Sequence, residues 1–356
     1  LDRLHYLPSD SDGKAAFFVL RQSWDELVKL GAPALKPLLA CLDDEDSGIR
    51  QRAAGALGKL GDRQAVEPLI KCLKDDDASV QQSAATALGL LGDRQAVDPL
   101  IDAFPNADPL VKQSIAEALG LLGDAKAVDV LTGILKDEDA YLRQACAQAL
   151  SKLKYRPAKT EDNIVYLIAL QSWDEVAKLG APALEPLVAC LADGSLEVRQ
   201  GAIAALGQLG DQRAIEPLAG ALPDWDLNAD LVPVLEKLGW KPASEAEEVY
   251  AWIGRKDSEH LKAQWEKTRR VLLDDVGSGT HRKLQNAVYS FLAIGEPKIL
   301  DDLVRILDDQ GDKDIGETYL NCGNGKLEQA ARDWASRNGY TILPTSGGTH
   351  TNWGSW

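Results

Sequence analysis

The sequence predicts an all-α chain built as an array of stacked helix pairs, and repeats on two scales predict it. LGKLGDRQAV at 57–66 returns as LGLLGDRQAV at 88–97 and as LGLLGDAKAV at 119–128, a spacing of 31 residues marked by Gly58, Gly89 and Gly120. A fixed period of this size is the signature of units that each pack only against their neighbours. A longer period overlies it: SWDELVKLGAPALKPLLACL at 23–42 matches SWDEVAKLGAPALEPLVACL at 172–191, an offset of 149.

Thirty-one residues accommodate two helices of roughly 12 residues each and two tight turns. In the copy at 78–91, Val80, Ala84, Ala87, Leu88 and Leu91 fall at helical spacing. Gly92 follows as the left-handed residue that commonly ends a helix, and Asp93 as an N-cap. The same Gly-Asp punctuation recurs at Gly61, Gly123 and Gly210. In the second helix the apolar stripe is Val97, Leu100, Ala103 and Phe104. Pro68, Pro99 and Pro217 sit early in that helix, so it either starts later than the Asp cap suggests or is kinked. The starts LHYLP at Leu4, LKYRP at Leu153 and LGWKP at Leu238 open longer irregular units, near 4–31 and 153–181 in the first two cases. In each a Trp or its substitute follows: Trp24, Trp173 and Ser258. The expected organisation is an array over 1–242, then degenerate helical repeats and a cap over 243–343. Within that last segment, 280–309 reads as a helical pair and 326–338 as a final helix stopped by Gly339. A flexible Gly- and Trp-bearing tail is expected over 344–356.

Composition narrows the function classes. With 39 basic and 55 acidic residues the net charge is −16, which repels phosphate backbones and argues against nucleic acid as a partner. No apolar run has the length of a membrane span, so membrane insertion is not expected. Cys41, Cys72 and Cys190 share one slot of the repeat that holds Ala103, Ile134 and Ala221 in other copies, a buried small-to-medium apolar site. With no CxxC pair, these read as reduced core thiols in a cytoplasmic protein. The chain starts at Leu1, has no Met, and opens on what reads as the tail of a helix, so it is expected to be trimmed or part of a longer protein.

The pattern VRQGAIAALGQLGDQRAIEPLAGAL at 198–222 resembles the short HEAT-like repeats of phycobilin lyases, strongly from about 32 to 222 and weakly beyond 258. The resemblance implies a right-handed α-solenoid whose second helices line a concave face. It also implies that Arg50, Arg143 and Arg199 pair with acids of neighbouring units, with an interruption where Gln81 takes the slot. The family's functions range over scaffolds, chromophore-attaching proteins and hydroxylases. Its di-iron hydroxylase branch uses His-Glu pairs. None of His5, His260, His281 and His350 is followed by Glu, so that branch is excluded, and no cofactor or metal is expected. No phosphate loop, HExxH, GxSxG or dinucleotide fingerprint occurs. The acidic stretches beginning at Asp43 and Asp308 lack the full calcium-loop pattern and read as solvated turns.

Three surfaces are candidates for binding. Glu67, Asp98, Asp129, Glu185 and Glu216 occupy one slot of the second helix, with Lys36 the exception. Four residues later come Ala40, Lys71, Asp102, Gly133, Ala189 and Gly220, mostly small. Both slots lie off the apolar stripe, and stacked they would edge a shallow groove with carboxylates. The bland alternative is that acids near a helix start complement its dipole. A basic patch of Lys262, Lys267, Arg269 and Arg270, with Arg255, Lys256, Arg282 and Lys283 nearby, is either an acidic-partner site or a solvated helix face. Trp353 and Trp356 in the tail either dock on a partner or fold back over the last helices. The sequence thus supports a non-catalytic protein-binding scaffold that takes a partner with a basic surface, and self-association is allowed. Two alternatives stay open: a bilin lyase-like helper that holds a phycobiliprotein during chromophore attachment, and the recognition array of a larger protein.

Overall fold

The computed structural model describes residues 8–278, 280–296, 298–344 and 351–354, and they form an all-α solenoid of helix pairs. The chain divides into two compact units, Leu1–Val176 and Ala177–Trp356, with the division inside the second irregular segment.

In the first unit the regular pair is strongly asymmetric. Its first helices are long: Ser47–Leu60, Ala78–Leu91, Pro109–Leu122 and Ala140–Lys152. The second helices are short: Val66–Cys72, Val97–Ala103 and Val128–Thr132. Proline sets this asymmetry. An α-helix running straight on from Asp62 would need a Pro68 N–H to bond the carbonyl four residues back, and proline has none. The chain instead makes a 3-10 turn, Arg63–Ala65, and restarts at Val66, which puts Pro68 in the first turn where no donor is required. The later start, rather than a kink, is therefore what occurs. Each turn is capped by its aspartate: Asp62, Asp93 and Asp124 accept from the N–H two residues on, at 3.0 Å. Gly92 takes the left-handed conformation at φ 66° that ends the helix before it.

The predicted apolar positions form the core. Val80, Ala84, Ala87, Leu88 and Leu91 are buried, as are Val97, Leu100 and Phe104, while Ala103 is half-buried. The marker glycines have a packing reason. A methyl group on Gly58 would stand 2.7 Å from the Ala87 Cα, on Gly89 2.8 Å from Ala118, and on Gly120 2.9 Å from Ala149. Successive first helices thus touch backbone to backbone, once per repeat. Polar rungs reinforce the stack. Arg50 donates to both carboxylate oxygens of Asp75 in the next repeat, at 2.9 and 2.7 Å, and to the Asp44 carbonyl. Thirty-one residues on, Gln81 keeps the equivalent carbonyl contact, to Asp75 at 2.6 Å, and the acid's slot holds Asn106. Arginine and aspartate are replaced together, which is how the interruption avoids stranding a charge. Arg143 makes the same carbonyl contacts, to Asp137 and Glu138.

The second unit repeats this design in Leu184–Cys190, Leu196–Leu209 and Ile215–Gly220. Arg199, almost fully buried, faces Asp224 at 3.6 Å. It then continues through Asn228–Lys237, Glu245–Gly254, Ser258–Ala263 and Trp265–Val276. The helices His281–Ile294 and Ile299–Gln310 form the expected pair. Asp312 caps the helix Lys313–Asn321, so the acidic stretch at 308 contains a helix start. The last helix is Gly325–Arg337, with Gly339 at φ 77° beyond it.

The irregular segments share a backbone signature. Gln22, Gln171 and Lys256 have φ of 52°, 56° and 56°, a left-handed conformation without glycine. In each, the N–H of the following residue returns to the carbonyl five residues back: Ser23 to Phe18, Ser172 to Leu167 and Asp257 to Trp252. That is the Schellman ending, and it brings the weakest start, at 238, into register with the other two.

The tail differs from the flexible segment expected. Thr351–Gly354 pairs antiparallel with Thr341–Pro344, Trp353 opposite Ile342, and the ribbon lies against the last two helices. Thr and Ile favour extended backbone, and pairing satisfies donors that a loose strand would leave to solvent. Trp356 lies outside the described residues.

Candidate partner-binding surface

The acidic row falls as three residues in the first unit and two in the second. Glu67, Asp98 and Asp129, and separately Glu185 and Glu216, are all exposed, as are the slots four residues on. Each acid sits in the first turn of a second helix, a placement fixed by the Pro-directed restart. The row is not uniformly free. Lys126, in the 3-10 turn of the next repeat, donates to both Asp98 oxygens at 2.9 Å, and this contact raises its pKa. Arg213 holds the same position relative to Glu185. It binds Asp211 at 2.6 Å and feels the Glu185 charge as a lesser effect.

Where the row ends in the first unit, Asp129 borders a depression of about 430 Å³ shared with Thr132, Gly133, Lys136, Tyr155 and Asp162. Two carboxylates thus flank one phenol ring, whose pKa is raised by burial and then by the Asp162 charge. With two carboxylates against the one cation of Lys136 the lining stays net negative, which suits an ammonium or guanidinium group through charge and through the ring face. Tyr155 and Asp162 were not singled out from sequence, because they belong to the irregular segment and have no counterpart in the 31-residue alignment. The only cue was Tyr155 within the LKYRP start.

The basic residues are placed differently. Lys267 is paired with Glu248 at 2.7 Å and lies over the Trp252 ring; Arg269 is paired with Asp302 at 2.7 Å; Arg270 is paired with Glu245. These cations join neighbouring helices, and of the four only Lys262 is left without an ion pair among the described residues. Of the tail tryptophans, only the backbone of Trp353 is described.

Among the described residues, neither thiols nor imidazoles gather into a reactive cluster. Burial pushes the Cys72 thiol up to about 11 and Cys146 to about 12, which keeps both protonated. His260 pairs with Asp257 at 2.7 Å and stacks on Trp252. Among the described residues no group of three or more His, Cys, Asp or Glu is arranged to hold a metal ion, and no helix is long and apolar enough to cross a membrane.

No curated protein matches the chain significantly. Among solved structures, the CpcE–CpcF complex of phycocyanin lyase from Nostoc sp. PCC7120 is similar at 24% identity. That match covers 70% of this chain and 95% of the other, with a TM-score of 0.37. Human deoxyhypusine hydroxylase is similar at 19% identity over 90% of this chain and 99% of the other, with a TM-score of 0.31. An engineered protein is similar at 20% identity over 93% and 96%, with a TM-score of 0.31. HEAT repeats are matched at 19–86, 35–119, 66–151, 97–181 and 158–232. These windows cover more than half of the chain, which therefore belongs to the HEAT-repeat family.

Proposed function

We propose that the chain is a protein-binding scaffold that takes a basic segment of its partner along the second helices, without chemistry of its own. The observation that supports this is the depression where Asp129, Asp162 and Tyr155 converge at the end of the exposed row. Dipole complementarity accounts for each carboxylate taken singly, since Asp129 and Asp162 each stand in the first turn of their own helix, but not for the convergence of both with a phenol ring on one depression. Among the described residues, Glu67 and Asp129 are the row members without an ion pair in the first unit, so they and Asp162 carry the attraction.

The test is fluorescence anisotropy of a labelled hexa-arginine peptide with the full chain, titrated over a salt series. Binding should weaken as salt rises, since rim charges act through screened attraction. Glu67→Gln, Asp129→Asn and Asp162→Asn together should weaken it by about tenfold or more, with the helical spectrum intact. Equal binding by the triple variant, or none by the wild type, refutes the reading. Coloured material co-purifying with the chain would favour the bilin lyase-like reading instead.

A further inference from the structure

The third irregular segment has a serine where the other two have an indole, and the pocket beside it is apolar. The registers are constant. Gln22, Trp24 and the helix-ending Gly61 correspond to Lys256, Ser258 and Gly295, each 234 residues on, and both glycines have φ 76°. At the first copy, Trp24 lines a largely polar groove of about 450 Å³ together with Asp25, Arg52, Lys59 and Ala56. At the third, Ser258 stands in place of the indole, and Ser290 in place of Ala56. Here the pocket measures about 330 Å³ and is walled by Trp225, Ile253, Leu261 and Ile294, with Ser258, Ser290 and Lys256 also lining it.

Two polar features make this more than a packing fault. Ser290 is 2% exposed, and its hydroxyl has no hydrogen-bond partner. A buried hydroxyl without a partner is unfavourable by a margin that a ligand oxygen would recover. Lys256 replaces the neutral Gln22 and Gln171 of the other copies. It is exposed, and it has no ion-pair partner among the described residues. The copy that lost its indole also gained a cation at the rim and a hydroxyl on the wall. An apolar pocket with few polar groups of fixed position is the usual form of a small-molecule site.

We propose that this pocket binds a small aromatic carboxylate, its ring in the vacated indole volume and its carboxylate held by Lys256 and Ser290. The proposal is independent of the acidic row, which lies on other helices.

The probe is indole-3-propionate, with its primary amide as the uncharged counterpart, titrated into the full chain by saturation-transfer NMR and calorimetry. The acid should bind saturably, with a dissociation constant of about 1 mM or tighter. The amide should bind about five- to tenfold more weakly. Lys256→Gln, the residue of the other two copies, should abolish that difference by weakening the acid alone. Ser258→Trp, which restores the indole, should eliminate binding of both, and its fold is secured by the Trp24 and Trp173 precedents. Absence of saturable binding to 10 mM overturns the proposal, as does binding that survives Ser258→Trp. Equal affinity for acid and amide, unchanged by Lys256→Gln, refutes the carboxylate assignment.

Discussion

Gly55 and Gly58 lie three residues apart in one helix, and substitution by alanine should move stability in opposite directions. A methyl group on Gly58 would sit 2.7 Å from both the Cα and the Cβ of Ala87, whereas one on Gly55 meets nothing within 4 Å. In a helix interior, alanine is favoured over glycine by about 1 kcal/mol, so Gly55→Ala should stabilise by roughly 0.5–1 kcal/mol. At Gly58 the same gain is opposed by overpacking. Carbon atoms need about 3.5–4 Å, so the helices Ser47–Leu60 and Ala78–Leu91 must separate by about 1 Å. Overpacking of this kind typically costs about 1–3 kcal/mol, and the partner here is backbone, which has no rotamer to yield. The net for Gly58→Ala is a loss of up to roughly 2 kcal/mol. Urea titration of the first unfolding transition, followed by circular dichroism, reads both variants on the same baseline. Adding Ala87→Gly to Gly58→Ala should return part of the loss, because one of the two crowded atoms is removed. Equal shifts of the same sign for the two single variants would refute the close-approach argument.

Three further outcomes follow from side chains already described. The Arg50 guanidinium holds the Asp75 carboxyl below its usual value. That contribution is present above pH 3.8 and is lost as pH falls through the depressed value, so Asp75→Asn should destabilise by about 2 kcal/mol at pH 7 and by progressively less as the solution is acidified below pH 3.8. Burial raises the carboxyl of Asp275, which accepts from the Tyr250 hydroxyl at 2.9 and 2.7 Å. For a raised carboxyl the contribution is full below pH 3.8 and is lost as pH rises through the folded value. The stability of Asp275→Asn relative to wild type should therefore improve from pH 4 to pH 7 in parallel melts, and a falling difference would contradict the burial argument. Gln171→Gly should raise the midpoint by about 0.5–1 kcal/mol, since the left-handed ending at φ 56° suits glycine; no gain would mean that the Gln171 side chain contributes as much as the backbone loses.

The array was legible in the sequence because one physical requirement recurs at a fixed spacing. Gly58, Gly89 and Gly120 repeat because each helix must approach the next at an alanine, and the Gly-Asp pairs repeat because each turn needs one left-handed residue and one cap. The short second helix was half-legible. Pro68 announced a departure, but a helix kink and a 3-10 restart place proline alike in a sequence. The strand at Thr351–Gly354 was hidden because a four-residue strand has too little alternation to stand out beside glycines. At the candidate surface, the acids Glu67, Asp98 and Asp129 could be aligned by repeat. Tyr155 and Asp162 could not, since the irregular segment follows the 149-residue period and meets the row only in space. The pairing of Lys126 with Asp98 was equally out of view, because its 28-residue separation matches neither period.

The glycine-on-alanine contact also bears on how such a chain changes length. The junctions Gly58–Ala87, Gly89–Ala118 and Gly120–Ala149 offer chemically equal faces on both sides of a repeat. A helix pair removed between two of them leaves behind the same two faces, now able to meet each other. Insertion and deletion in steps of 31 residues therefore conserve the glycine-on-alanine contact, while a step of any other size leaves a glycine opposite the wrong residue. In this part of the molecule the number of repeats is a variable that recombination can reset without redesigning the close contact between first helices, provided that each arginine keeps its aspartate.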